Sequence, residues 1–322
     1  MNIKAKYIKP LTYITSIDKM ADISTTISGL KLKNPTMLAA GILGETGDSL
    51  LRVAKGGAGA LVTKSIGVEP REGHPNPTFV ETEHGILNAM GLPNPGIESY
   101  KEEVKNAVKA GVPIIGNIFG GDIKEFEMLA KKMEEYGVDA IELNLSCPHA
   151  RGYGVELGHD KEKVQEITKA VKHAVKIPVF VKLSPNVSNM AEIANAVENA
   201  DGDAIVAINT LSAMAINAEL AKPILSNSIG GLSGPGIKPI GLRCVYDIKA
   251  ATDLPIVGVG GILSGEDAVE YIMAGASAVQ IGSGVYYRGE KIFTEICEQI
   301  IEFMESHGYK TIEEMVGIAG KR

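Results

Sequence analysis

The chain contains no tryptophan, its aromatic residues make up only 5%, and its three cysteines stand far apart at 147, 244 and 297. None of them forms a C-x-x-C pair, which argues against a zinc or iron–sulfur site built from this chain alone. So sparse and odd a cysteine count fits a reducing cytosol, and a cytoplasmic location is expected. No run approaches the ~20 apolar residues needed to span a bilayer. The opening stretch, MNIKAKYIKPLTYITSIDKM, lacks the apolar centre of a secretory signal. There is also no basic tract. Lysine and arginine total 32 against 39 acidic residues, a net charge of −7, which argues against nucleic acid or an anionic membrane as a partner. A hydrophobic fraction of 45% is too high for a disordered chain.

What the chain has in quantity is glycine, 37 of 322 residues, so tight turns or close approaches of backbone to a ligand are expected. The first twenty or so residues differ in character from the rest. The expected organisation is an N-terminal extension over 1–22, weakly ordered, followed by a single domain over 23–322. Met20 offers an alternative start that would leave 1–19 outside the protein.

Short apolar runs then recur: TMLAA (36–40), ALVTK (60–64), PIIGNI (113–118), DAIELNL (139–145), PVFVKL (178–183), DAIVAI (203–208), PIVGVG (255–260) and SAVQIG (277–282). Each is rich in Val, Ile and Leu, as strands buried on both faces of a parallel sheet are. Helical stripes lie between them, at 98–110, 122–136, 160–176, 190–200, 237–251, 264–274 and 290–306. In 160–176, Val164, Ile167, Val171 and Ala174 share one face. The lead-ins alternate by parity: GVP, KIP and DLP precede the third, fifth and seventh runs, and Gly/Asp-Ala turns precede the even ones. Eight such units predict an α/β fold, a (β/α)8 TIM barrel. A doubly wound open sheet is the weaker alternative, because no G-x-G-x-x-G follows the first strand. Three connections, 65–97, 146–159 and 209–236, are too long for plain turns. They follow strand C-termini, the active face of barrels, and are expected to form lids or small hairpins there.

Most of the runs stop at a polar residue: Lys64, Asn117, Asn144, Lys182 and Asn209. The seventh and eighth end in Gly260-Gly261 and Gly282-Ser283-Gly284. A barrel gathers all of these at one mouth. Buried polar groups must be paired, so a ligand with many acceptors and donors is expected there. The glycine pairs after strands seven and eight suit a phosphate held by backbone N–H groups. Cys244 and Cys297 fall within helical stripes and are expected in the core. His74, His84, His149 and His159 fall in expected loops without metal-ligand spacing; His149 and Arg151 are candidates for the rim of the entrance.

The stretches NLSCP (144–148), LNAMGLPNPG (87–96), KLSPN (182–186), INTL (208–211), GGLSGPGIKP (230–239) and GVGGI (258–262) resemble the dihydroorotate dehydrogenases, from about residue 24 to the C-terminus. Cys147 in the loop after strand four points to class 1, because the membrane-associated class 2 enzymes carry serine there. The resemblance implies an FMN-containing barrel that oxidises (S)-dihydroorotate to orotate in pyrimidine synthesis. It implies FMN contacts from Ala40, Gly41, Lys64, Ser65, Asn117, Asn144, Lys182, Ile208, Gly234, Gly260, Gly261, Gly282 and Ser283. It implies substrate contacts from Lys64, Asn88, Ala89, Met90, Gly91, Leu92, Asn144, Asn209 and Thr210. Ala40 stands where serine is usual in the family, and Ser283 where threonine is usual. Cys147 is the implied general base, its thiolate taking a proton from the carbon beside a carbonyl.

GGLSGPGIKP and NAMGLPNPG look closer to class 1B, which implies a homodimer. A partner subunit carrying FAD and a [2Fe–2S] cluster would then pass electrons to NAD and complete a heterotetramer. Class 1A, using fumarate, stays open. So do a dihydropyrimidine dehydrogenase-like flavin reductase, a Schiff-base aldolase working through Lys182, and a non-catalytic flavin- or ligand-binding scaffold.

Overall fold

In a computed structural model of the chain, residues 21–145 and 155–320 are described. Most of the expected N-terminal extension lies outside the described residues. Eight strands form a closed barrel: Thr36–Leu38, Ala60–Val62, Ile114–Ile118, Ala140–Asn144, Val179–Leu183, Ala204–Ala207, Ile256–Val259 and Ala278–Ile281. Each pairs in parallel with its sequence neighbour, and the eighth closes on the first through Val279↔Thr36, Gln280↔Met37 and Ile281↔Leu38. The open-sheet alternative is thereby excluded.

Helices return the chain after each strand: Gly47–Lys55, Ile97–Ala107, Ile123–Tyr136, Lys161–Ala174, Met190–Glu198, Lys238–Ala251, Gly265–Ala274 and, after the eighth, Ser283–Arg288 and Ile292–His307. Sequence periodicity located all but two of these. Gly47–Lys55 is short but strongly amphipathic, burying Gly47, Leu50 and Val53, so its stripe was passed over rather than missing; a Thr46–Ser49 capping box starts it. Ser283–Arg288 is too short to show a period. Helix Lys161–Ala174 buries Val164, Ile167, Thr168 and Val171, as its stripe predicts.

Strand alternation divides the core in two. Leu38, Leu61, Ile141, Val181 and Val279 point outward and pack with the helices. Met37, Val62, Ile115, Phe180, Val206 and Val257 point inward and form a separate apolar cluster with Ile27 and Leu32. The last two belong to a hairpin, Thr25–Ile27 with Leu30–Leu32, that plugs the N-terminal end of the barrel. Its turn is tied there by Ser28 Oγ donating to the Asp203 carbonyl at 2.6 Å.

Two of the three long connections do not act separately. Phe79–Thr82 and Gly85–Asn88 come from one, Leu211–Met214 and Ile229–Ser233 from the other, and all four strands form one antiparallel sheet. They join through Gly231↔Asn88, Leu232↔Leu87 and Ser233↔Ile86. The glycines of GGLSG make this approach possible: a Cβ on Gly230 would lie 2.7 Å from the Asn88 carbonyl oxygen, and one on Gly231 2.1 Å from Thr210 Oγ1 in its own connection. Much of the 146–159 connection lies outside the described residues; its end forms the short helix Val155–His159. Among the described residues no helix is long and apolar enough to cross a membrane.

Candidate active site at the barrel mouth

A cavity of about 410 Å³ opens at the C-terminal ends of the strands, walled by the barrel mouth and the four-stranded lid. Ligand sites of this size are ordinary for barrels. Ala40 and Gly41 line it after the first strand, Lys64 and Ser65 after the second. Asn117, Asn144 and Lys182 line it from strands three to five, and Ile208, Asn209 and Thr210 follow the sixth. Gly260, Gly261, Gly282 and Ser283 form the wall after the last two strands. From the lid come Asn88, Met90, Gly91 and Leu92.

Two expected contacts stand back from the wall. Ala89 is fully buried, packed with Leu87 and Leu225 beneath the lid. Gly234 supports the turn behind Gly261, where a Cβ would meet the Gly234 carbonyl oxygen at 2.7 Å. Gly260 and Gly261 hold φ of 131° and 70°, the region that favours glycine, so the chain bends with its backbone bare toward the cavity. Cys147 lies outside the described residues, as do His149 and Arg151.

The floor of the cavity is a buried polar network. Lys182 is 5% exposed and its Nζ donates to Gln280 Oε1 at 3.2 Å. It also lies 3.6 Å from Glu142 Oε1, and Glu142 is fully buried. Gln280 Nε2 donates to Glu142 Oε2 at 2.5 Å, and Asn117 Nδ2 donates to Glu142 Oε1 at 2.7 Å. The Asn117 side-chain oxygen is buried and accepts no hydrogen bond within the protein. A buried acceptor without a donor costs roughly 1–3 kcal/mol unless something supplies one. Asn117 is itself one of the residues lining the cavity.

Glu142 and Gln280 were absent from the sequence reading of the site. A signal existed: a charged residue in AIELN and an amide in AVQI interrupt otherwise apolar strands, and Glu142 lies two residues before Asn144, on the same face. Aromatic rings at the rim were also missed. Phe79 and Tyr286 line the cavity with ring centroids 5.3 Å apart, one from the lid and one from the helix after strand eight.

Local bonds hold the functional side chains in place. Asn144 Nδ2 donates to Ser65 Oγ at 3.1 Å. Lys64 Nζ lies 3.8 Å from Glu45 Oε2, and its backbone N–H donates to the Gly44 carbonyl at 2.9 Å. Asn186, from KLSPN, donates through Nδ2 to the Thr210 carbonyl at 3.3 Å and accepts from the Ser212 N–H at 2.9 Å, tying the lid to the barrel. Behind Gly260, the buried Tyr271 hydroxyl donates to its carbonyl at 2.8 Å; burial raises this phenol well above its usual range. Cys244 and Cys297 are both buried, as expected. Burial pushes the Cys244 thiol up and the Cys297 thiol to about 11, so neither is a nucleophile near neutral pH. Among the described residues no group of three or more His, Cys, Asp or Glu could hold a metal.

Comparison with known proteins matches this geometry to one family. The dihydroorotate dehydrogenase family profile matches residues 22–304. A Methanocaldococcus jannaschii protein named dihydroorotate dehydrogenase B (NAD(+)), catalytic subunit, is 57% identical over 301 residues, covering 92% of this chain and 98% of that one. A Thermoplasma volcanium protein of the same name is 55% identical, covering 94% of this chain and 100% of its own. Among solved structures, a DHODH from Eimeria tenella in complex with ferulenol shares the fold, with a TM-score of 0.83 at 22% identity, covering 97% of this chain and 92% of that one. Sequence, barrel and mouth thus agree, and the chain is an oxidoreductase belonging to the dihydroorotate dehydrogenase family.

Proposed function

We propose that this chain oxidises (S)-dihydroorotate to orotate in pyrimidine synthesis, with FMN in the mouth cavity, and passes the electrons to NAD through a partner subunit. The observation that carries the reading is the polar floor, where a buried ammonium and an unpaired buried acceptor belong to residues that line one cavity. These residues fit a flavin. An isoalloxazine edge alternates N–H and C=O groups, so it offers Asn117 Oδ1 a donor and Lys182 an acceptor. The bare backbone at Gly260, Gly261 and Gly282 leaves room for a phosphate: a Cβ on Gly282 would meet nothing nearer than Ala39 Cβ at 3.5 Å. FMN, when bound, supplies the two-electron acceptor for the C–H bond that breaks.

The remaining chemistry belongs to the chain. Asn88, Asn144 and Asn209 each offer one donor and one acceptor to a planar ring of alternating C=O and N–H groups, which orients it and rejects analogues that leave a group unpaired. Lys64 supplies the cation for the substrate carboxylate. Cys147 takes the proton from the carbon beside the carbonyl; a free thiol is only a few per cent ionised at pH 7, so activity should rise toward alkaline pH. Lys182 holds a fixed positive charge where negative charge builds.

The names of the archaeal relatives support the NAD-linked form, and "catalytic subunit" supports a partner. That partner carries FAD and a [2Fe–2S] cluster, and the assembly is a homodimer of this chain with one partner per subunit, in the cytoplasm. The test is an anaerobic spectrum of the purified protein titrated with dihydroorotate. Bleaching of the flavin bands is expected. A flavin that stays oxidised overturns the substrate, and a protein that takes up no FMN overturns the whole reading. Reoxidation by NAD only with the partner present supports the NAD-linked form; reoxidation by fumarate without it overturns that form.

A further inference from the structure

We infer that Glu142 is the positioning residue of the flavin site: it aims the Asn117 carbonyl and the Lys182 ammonium into the cavity and lowers the flavin potential by offsetting the lysine charge. The inference rests on the FMN reading above and adds to it a residue that touches neither cofactor nor substrate.

The argument begins with what a carboxylate can do. An ionised glutamate only accepts hydrogen bonds. Glu142 sits fully buried at the centre of the floor and contacts three side chains from three other strands. Asn117 must therefore present its NH2 to Glu142, at 2.7 Å, and turn its oxygen away. Gln280 must likewise present its NH2, at 2.5 Å, which leaves its oxygen to accept from Lys182 at 3.2 Å. One acceptor-only group thus sets both amide orientations and anchors the ammonium. The Asn117 oxygen, on a residue that lines the cavity, is left without a donor in consequence.

Charge follows from the same contact. The Lys182 ammonium and Glu142 carboxylate lie 3.6 Å apart with side-chain exposures of 7% and 0%. At that depth screening is weak, so the flavin meets a compensated pair rather than a bare cation. Removing the carboxylate leaves the ammonium uncompensated and favours electron addition; removing the ammonium does the reverse.

The test measures FMN binding to the apoprotein by fluorescence quenching and the two-electron midpoint potential of the loaded protein, both without substrate. Glu142→Gln, nearly isosteric, should raise the potential, with at least a roughly ten-fold change in the reduction equilibrium, about 30 mV for a two-electron couple. Lys182→Met should lower it. The exchange Glu142→Gln with Gln280→Glu returns one carboxylate to the same contact and should restore the potential. A merely structural role would weaken FMN binding in both single variants without opposite shifts, and the exchange would not rescue. Wild-type protein that binds FMN, with a Glu142→Gln potential that does not move, overturns the role of Glu142 alone. Wild-type protein that binds no FMN overturns the function reading and this one with it.

Discussion

Two layers fill the inside of this barrel, and the same strands build both. Ile115, Ala140, Phe180 and Ala278 belong to the lower layer, which is apolar throughout. Two residues further along each strand stand Asn117, Glu142, Lys182 and Gln280, which are almost equally buried but polar. One step of the strand period separates the two. The lower layer meets the N-terminal hairpin and needs only to exclude water. The upper layer meets the cavity, and its hydrogen bonds are left one donor short at Asn117. Burial is therefore no guide to purpose here: the lower layer stabilises the fold, whereas the upper one gives up stability to hold a ligand.

This contrast predicts opposite responses to mutation. Phe180→Ala, in the lower layer, should cost about 3–5 kcal/mol in chemical denaturation while leaving the flavin potential unchanged. Replacing the upper layer by apolar groups (Asn117→Leu, Lys182→Met, Glu142→Leu and Gln280→Leu together) should remove roughly 10²–10³-fold in turnover. Its stability should hold or rise, by up to about 1–4 kcal/mol, because buried ion pairs are often replaced by apolar groups without loss. A large drop in stability would erase the distinction between the layers.

The lid should respond at a smaller scale. Gly231→Ala places a Cβ 2.1 Å from Thr210 Oγ1, so the lid must shift at about 1–3 kcal/mol, seen as a raised KM for dihydroorotate with the barrel still folded. The smallest effect is expected behind the glycine turn. Burial works to raise the Asp267 carboxyl, but the Lys238 ammonium at 2.6 Å, the Leu263 N–H and the Ser264 side chain outweigh it and hold the group below its ordinary range. A depressed carboxyl stabilises above its unfolded value, near pH 4, and that contribution disappears as pH falls through the lower native value. Asp267→Asn should therefore cost about 0.5–1 kcal/mol at pH 7 and progressively less as pH falls below about 4, by thermal unfolding across that range.

How much was legible beforehand differs between the same two layers. Short apolar runs led in by Pro or Gly-Ala turns identified every barrel strand, because a strand buried on both faces leaves little freedom of composition. The polar residues at strand ends, Lys64, Asn117, Asn144, Lys182 and Asn209, were legible because each interrupts or ends such a run, and the cavity collects them all. Glu142 and Gln280 were harder to read. Each interrupts an apolar strand as Lys182 does, but neither ends its run or falls within a motif of the family resemblance, so the local signal was present and passed over. Cys147 entered through a resemblance alone, and it lies outside the described residues.

By itself, then, the sequence determined the parallel barrel, its polar mouth and the family, since periodicity and short motifs are properties of neighbouring residues. Tertiary structure alone decided which residues meet across the barrel: Glu142 with Asn117, Lys182 and Gln280, and the two long connections merged into one lid through Gly231 and Asn88. Those contacts join positions as much as 143 residues apart. The physical reason is that strand closure and register, which no local pattern encodes, choose the partners, and a buried charge has meaning only through the partners it is given.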